Sequence, residues 1–92
     1  MPQLAWVERQ IRRIEGFDVR FTHPDGRDVR GDMSDLRSYE YARRLADDRT
    51  VSEWIAIRFR AQYRGFDVEV RHADGTAAHG NTLLGNLRRE YD

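Results

Sequence analysis

Residues 16–26 read GFDVRFTHPDG, and residues 65–75 read GFDVEVRHADG. The glycines, the Phe-Asp-Val, the His and the Asp-Gly return after 49 residues, a likeness too specific for a shared strand bias. Within the first copy Phe17, Val19 and Phe21 alternate with Asp18, Arg20 and Thr22, the period of a strand with one buried face. Pro24 sets the φ of a first turn position, Asp25 suits the second and Gly26 takes a positive φ, so HPDG predicts a type I turn closed by a glycine bulge. That loop sets Phe21 opposite Val29 and Arg20 opposite Arg30. In the second copy Phe66, Val68 and Val70 take the apolar face, and Ala73-Asp74-Gly75 brings Val70 to Ala78. Gly31 and Gly80 close the two hairpins in equivalent places.

Working outward, Leu4, Val7, Ile11 and Ile14 form one stripe of an amphipathic helix over about residues 2–15, with Pro2 in its first turn and Gly16 just past its end. Thr50-Val51-Ser52-Glu53 has the form of a capping box and opens a second helix expected to run from Val51 to Arg64, ended by Gly65. Trp6-Val7 and Trp54-Ile55 correspond if this second helix is one residue longer. Between the copies, Leu36, Tyr39, Ala42 and Ala46 favour a short helix from Ser34 or Tyr39 to Ala46, although SYEYA also suits a strand. After them, Asn81 or Thr82 is placed to cap a last helix over residues 82–91, with Leu83, Leu84, Leu87 and Tyr91 on one face.

A two-stranded hairpin is marginal alone, so two of them joined edge to edge beneath helices give each copy the core it lacks. The expected fold is a single α+β domain over residues 1–92: a duplicated α-β-β unit (about 2–32 and 51–81), a connector (33–50), and a short C-terminal helix. Its antiparallel sheet is covered by helices on one face, about an approximate twofold axis.

Lys plus Arg and Asp plus Glu are 16 each, so no net field gathers polyanions, and all sixteen cations are arginine. Arginine-rich, lysine-free usage points to GC-rich coding DNA and a bacterial or phage origin. With 39% apolar and 35% charged residues the chain can fold but has little core to spare. The absence of cysteine removes disulfides, thiolate nucleophiles and thiolate metal sites, and fits a cytoplasmic location. No segment approaches the roughly 20 apolar residues of a membrane span, and no secretory leader is read at the N-terminus.

No nucleophile elbow, phosphate loop or H-E-x-x-H occurs, so an enzyme is not the favoured reading and no cofactor is expected. The repeated HxDG turns, with His23 and Asp25 beside His72 and Asp74, offer the one arrangement with metal-ligand chemistry, although Asp-Gly is what a hairpin turn requires in any case. The helix-strand-strand order resembles the repeat of LAGLIDADG homing endonucleases, in which an acidic metal ligand ends the first helix. Glu15 of IEGF stands at that place, but Arg64 of YRGF stands at it in the second copy, and the strands are too short for that family's DNA saddle. The resemblance is therefore set aside.

The second helix carries more apolar surface than one sheet face covers: Trp54, Ile57 and Ala61 on one side, Val51, Ile55 and Phe59 on another, with Arg58 between. This excess makes a protein partner or a second copy the first functional expectation, using Trp54, Ile57, Arg58 and Trp6. The rival is a nucleic-acid surface formed by Arg9, Arg12, Arg13, Arg60 and Arg64.

Overall fold

The computed structural model describes residues 3–30, 33 and 36–91; the expectations for Pro2, Gly31 and Ser34 lie outside them. Among the described residues there are three helical runs and one two-stranded antiparallel sheet, a mixed α+β fold. Helix α1 (Leu4–Glu15) buries Leu4, Val7 and Ile11, as the stripe requires, and ends on left-handed Gly16 at φ 86°. Strand β1 (Asp18–Thr22) follows, then the connector. A continuous helical run over residues 51–62 is built from α2 (Val51–Trp54), a π-helical segment (Ile55–Phe59) and α3 (Arg60–Gln62). Strand β2 (Asp67–Arg71) and helix α4 (Leu84–Glu90) complete the chain.

The two turns match atom for atom. His23 and His72 each accept from the glycine three residues on, at 2.9 Å, and each donates to the carbonyl four residues on, at 2.7 Å. Gly26 and Gly75 sit at φ 93° and 90°. Bridges at Thr22–Asp28 and Arg71–Ala77, with Val29 and Ala78 donating to Phe21 and Val70, set the hairpin registers the turns imply. The outer strands nevertheless shrink to these single bridges. In the first hairpin the cause is visible: the Phe21 N–H, which a full ladder would aim at residue 29, goes to the Glu8 carboxylate at 2.9 Å instead.

β1 and β2 pair with Arg20 opposite Glu69, its counterpart 49 residues on, so exchanging each residue for its counterpart returns the same register. The helices do not follow this exchange. Trp54 is fully buried while Trp6 is 43% exposed, and Phe59 is buried where α1 has the half-buried Gln10. Both helical runs hold 12 residues, but Trp54 stands one residue further from Gly65 than Trp6 does from Gly16, and the difference is taken up inside the second run. In an α-helix Trp54 and Phe59, five apart, would lie about 140° from one another around the axis. The Arg60 N–H bonds the Ile55 carbonyl, one residue further back than α-helical spacing allows, and this wider turn brings both rings to the core. It also turns Ile57 outward, 49% exposed.

Three expected boundaries need correction. The second helix stops at Gln62 rather than Arg64 because Tyr63 leaves the helical region at φ −120°, ψ 66°, and seals its ring among Phe21 and Phe59. The connector forms no helix among the described residues from Leu36 to Ala46, since its backbone is held by charged side chains of other segments. Helix α4 begins at Leu84 without a side-chain cap; instead the carbonyls of Arg49 and Asp47 accept from Leu84 and Gly85. Gly85, expected only to weaken the helix, permits this approach: a Cβ there would stand 2.8 Å from that of Asp47. The capping box at Thr50 and Glu53 is formed on both sides.

If the wide turn accommodates one surplus residue, deleting the exposed Ala56 returns an α-helical turn with Trp54 and Phe59 still aligned. Urea unfolding should then show a loss below about 2 kcal/mol, whereas deleting Arg9 rotates Ile11 off the α1 stripe and abolishes cooperative folding. Unfolding by the Ala56 deletion would contradict the assignment of the surplus.

Candidate functional site

The chemistry of the interior converges on Glu15. It lies four residues after Ile11 on the buried stripe of α1, and no part of its side chain reaches solvent. A carboxylate desolvated this fully needs compensating charge and donors. Arg58, from the π-helical segment, donates to Oε2 at 2.6 Å, and Arg88, from α4, donates to Oε1 at 3.1 Å. The Leu45 N–H reaches Oε1 at 3.0 Å and the Tyr39 hydroxyl donates to Oε2. Trp54 Nε1 in turn donates to the Tyr39 oxygen at 3.1 Å. Arg88 also donates to the Glu15 and Leu45 carbonyls and to Asp47 Oδ1, the last at 2.6 Å, while Arg58 donates to the Arg43 carbonyl and covers the Tyr41 ring at 4.4 Å.

Two carboxylates face two guanidiniums, and among the described residues no buried side-chain nitrogen or oxygen lacks a partner. Burial and the adjoining Glu15 carboxylate push the Tyr39 phenol well above its ordinary range, so it remains a donor. Burial opposes the Arg58 charge, but Glu15 and Tyr39 outweigh it and raise that pKa. Each oxygen of the Glu15 carboxylate accepts two hydrogen bonds, so the groups around it act as a clamp on that charge.

This placement corrects two of the expected partner residues. Trp54 is fully buried and the Arg58 side chain only 14% exposed, so both belong to the clamp rather than to a surface. Arg58 does find the carboxylate that its position between two apolar sides demands. Trp6 and Ile57 remain exposed. The expected arginine set is divided too: Arg12 pairs with Asp18 at 2.8 Å and covers the Tyr91 ring, and Arg60 stands 3.9 Å from Asp67. Arg9 and Arg13 line a groove of about 160 Å³ with Trp6 and Gln10, which continues into one of about 430 Å³ beside Ile14 and Ala42. Arg60 and Arg64 line another groove, at the far end of the second helix.

The cleft between α1 and β1, about 230 Å³, holds Glu8, Asp18, Arg20 and Arg71. Burial raises the Glu8 pKa against the pull of the Phe21 N–H, but its neighbours are already paired, Arg20 with Asp28 and Arg71 with Glu69. At the HxDG turns His23 lies by the Phe66 ring and His72 Nδ1 meets the Glu90 carboxylate at 3.0 Å. No group of three or more metal-capable side chains forms among the described residues, and no described helix is long and apolar enough to cross a membrane.

Sequence reasoning missed Glu15, Tyr39, Asp47 and Arg88. One signal was present: an acidic residue on the apolar stripe, in the last helical turn where the dipole disfavours it, must have a cationic partner. Comparisons with protein-family models, curated proteins and solved structures find no match to the chain.

Glu15→Leu alone leaves the largely buried Arg58 without a carboxylate and Arg88 with Asp47 alone, and should cost about 3–5 kcal/mol in denaturant unfolding. Adding Arg58→Met and Arg88→Met should recover most of that loss. A single-substitution cost below about 1 kcal/mol would mean that water screens the cluster.

Proposed function

We propose that this protein is a non-catalytic interaction module that holds an acidic protein segment against the outward stripe of α1. One observation carries the reading. Trp6, Arg9, Gln10 and Arg13 follow one another at helical spacing, Trp6 is 43% exposed, and neither Arg9 nor Arg13 has a carboxylate partner among the described residues. Tryptophan and arginine supply most binding hot spots, and two cations without counter-ions favour an anionic partner. On the second helix Trp54 and Phe59, the counterparts of Trp6 and Gln10, are buried, so α1 presents to solvent two positions that its counterpart hides.

We also infer that the chain arose by duplication of an α-β-β unit, with the copies paired about a local twofold through Arg20 and Glu69 and the helices covering the sheet on one face. The self-symmetric register and the matched turns support it, and the rotated second helix is the change that followed the added residue. A cytoplasmic protein of bacterial or phage origin fits this reading. Nucleic acid is the rival partner, resting on the same arginines, and self-association through Ile57 is a second rival. An enzyme is not favoured, because the titratable groups that converge are filled by one another.

Titrating the full chain with a glutamate-rich peptide should change the emission of exposed Trp6, and Arg9→Glu with Arg13→Glu should weaken binding by about tenfold or more. Binding of oligothymidine in preference to the peptide would favour the rival. Binding of neither, or concentration-dependent dimers by ultracentrifugation that Ile57→Asp abolishes, would overturn the α1 reading.

A further inference from the structure

The twofold exchange of the strands assigns a counterpart to every surface near the turns, and one of these surfaces is covered while its mate is open. Helix α4 seats itself where the end of α1 meets the second hairpin. Glu90 bonds His72 Nδ1 and the Ala73 N–H, Tyr91 Oη accepts from the Asp18 N–H at 3.2 Å and donates to the Arg71 carbonyl, and Arg88 lies against Gly16. The counterparts of Ala73, Gly16, Phe17 and Asp18 are Pro24, Gly65, Phe66 and Asp67. Those four residues, with Arg60, Tyr63 and Arg64, line an open groove of about 330 Å³.

The exposures agree. Phe17 is fully buried beneath α4 and Phe66 only half-buried. A Cβ on Gly16 would meet Arg88 at 3.3 Å, while one on Gly65 would meet nothing within 4 Å. The chain itself explains why the second seat stays open. The segment that chain order would send there reads LRSYEY at 36–41, beside LRREY at 87–91. At the end of the second helix its Arg37 carbonyl accepts from Tyr63 Oη and its Glu40 N–H reaches Gln62. Tyr39 then draws it away to Glu15.

We propose that this groove is a docking seat for a short helical peptide of another protein that carries a glutamate-tyrosine pair, as α4 does, its glutamate facing His23 alone because Pro24 has no N–H where Ala73 donates, and a carboxylate in place of Arg88. The charge reversal follows from the counterpart of Glu15, which is Arg64; among the described residues Arg64 has no ion pair, and Arg60 stands beside it. This inference rests on the duplication reading and is independent of the α1 stripe.

The test uses the full chain and a synthetic peptide of residues 82–92 carrying Arg88→Glu, followed by amide NMR. The expected result is salt-sensitive binding that shifts Gly65, Phe66 and Asp67. Arg64→Glu should weaken it by about tenfold or more, with recovery when the peptide carries the original arginine. Both exchanged charges are exposed, so an unchanged spectrum elsewhere verifies the fold. No shift at these residues overturns the proposal, as does indifference to the charge at position 64. Shifts at Gly16 and Asp18 instead would mean that the peptide displaces α4 from its own seat, overturning the vacancy while leaving the twofold intact. Tighter binding of oligothymidine at the same residues would replace the peptide with single-stranded nucleic acid.

Discussion

One buried carboxylate ties together segments that have little else in common. Glu15 ends α1, Arg58 comes from the π-helical segment, Arg88 from α4, and Tyr39 and Leu45 from a connector whose described residues form no helix. In a chain of 92 residues the apolar core is small, and burying a carboxylate in it would be severely unfavourable without two guanidiniums at close range. The clamp need add little net stability over an apolar cluster. Its donors come from the connector, the π-helical segment and α4, so meeting the one carboxylate fixes these segments relative to one another.

The second organising constraint is the wide turn of the second helix. At α-helical spacing Trp54 and Phe59 would point in different directions. The wide turn instead aligns Trp54 and Phe59 inward, brings Arg58 to Glu15, and leaves Trp6 in solvent. Asymmetry of the helices and symmetry of the strands thus have separate causes. The strands are bound by their pairing register, while a helix can turn about its own axis whenever side chains favour it.

What could be read from the residues were the local rules. His-Pro-Asp-Gly and His-Ala-Asp-Gly specify their turns because φ and hydrogen bonding are decided within four residues, and hairpin register follows from loop length. The α1 stripe and the Thr50 capping box are equally local. Features that depend on distant partners were not legible. Tyr39 and Ala42 have helical spacing, but the connector's backbone groups are engaged by Arg58, Arg88 and Glu15, which outweighs a weak propensity. Glycine at position 85 reads as a weak helix residue until Asp47 is seen against it. Of the expected surface residues, Trp6 and Ile57 kept their exposure, while Trp54 and Arg58 moved inside because a π turn leaves no mark in a periodicity count.

The central claim is that the Glu15 clamp, rather than regular secondary structure, holds the connector in place. Amide hydrogen exchange at Leu45 tests it directly, because this N–H lies in an irregular loop and its acceptor is the Glu15 carboxylate. The account predicts that Leu45 exchanges as slowly as the core amides of α1, opening only when the molecule unfolds. Exchange at the rate of a freely solvated loop would contradict it.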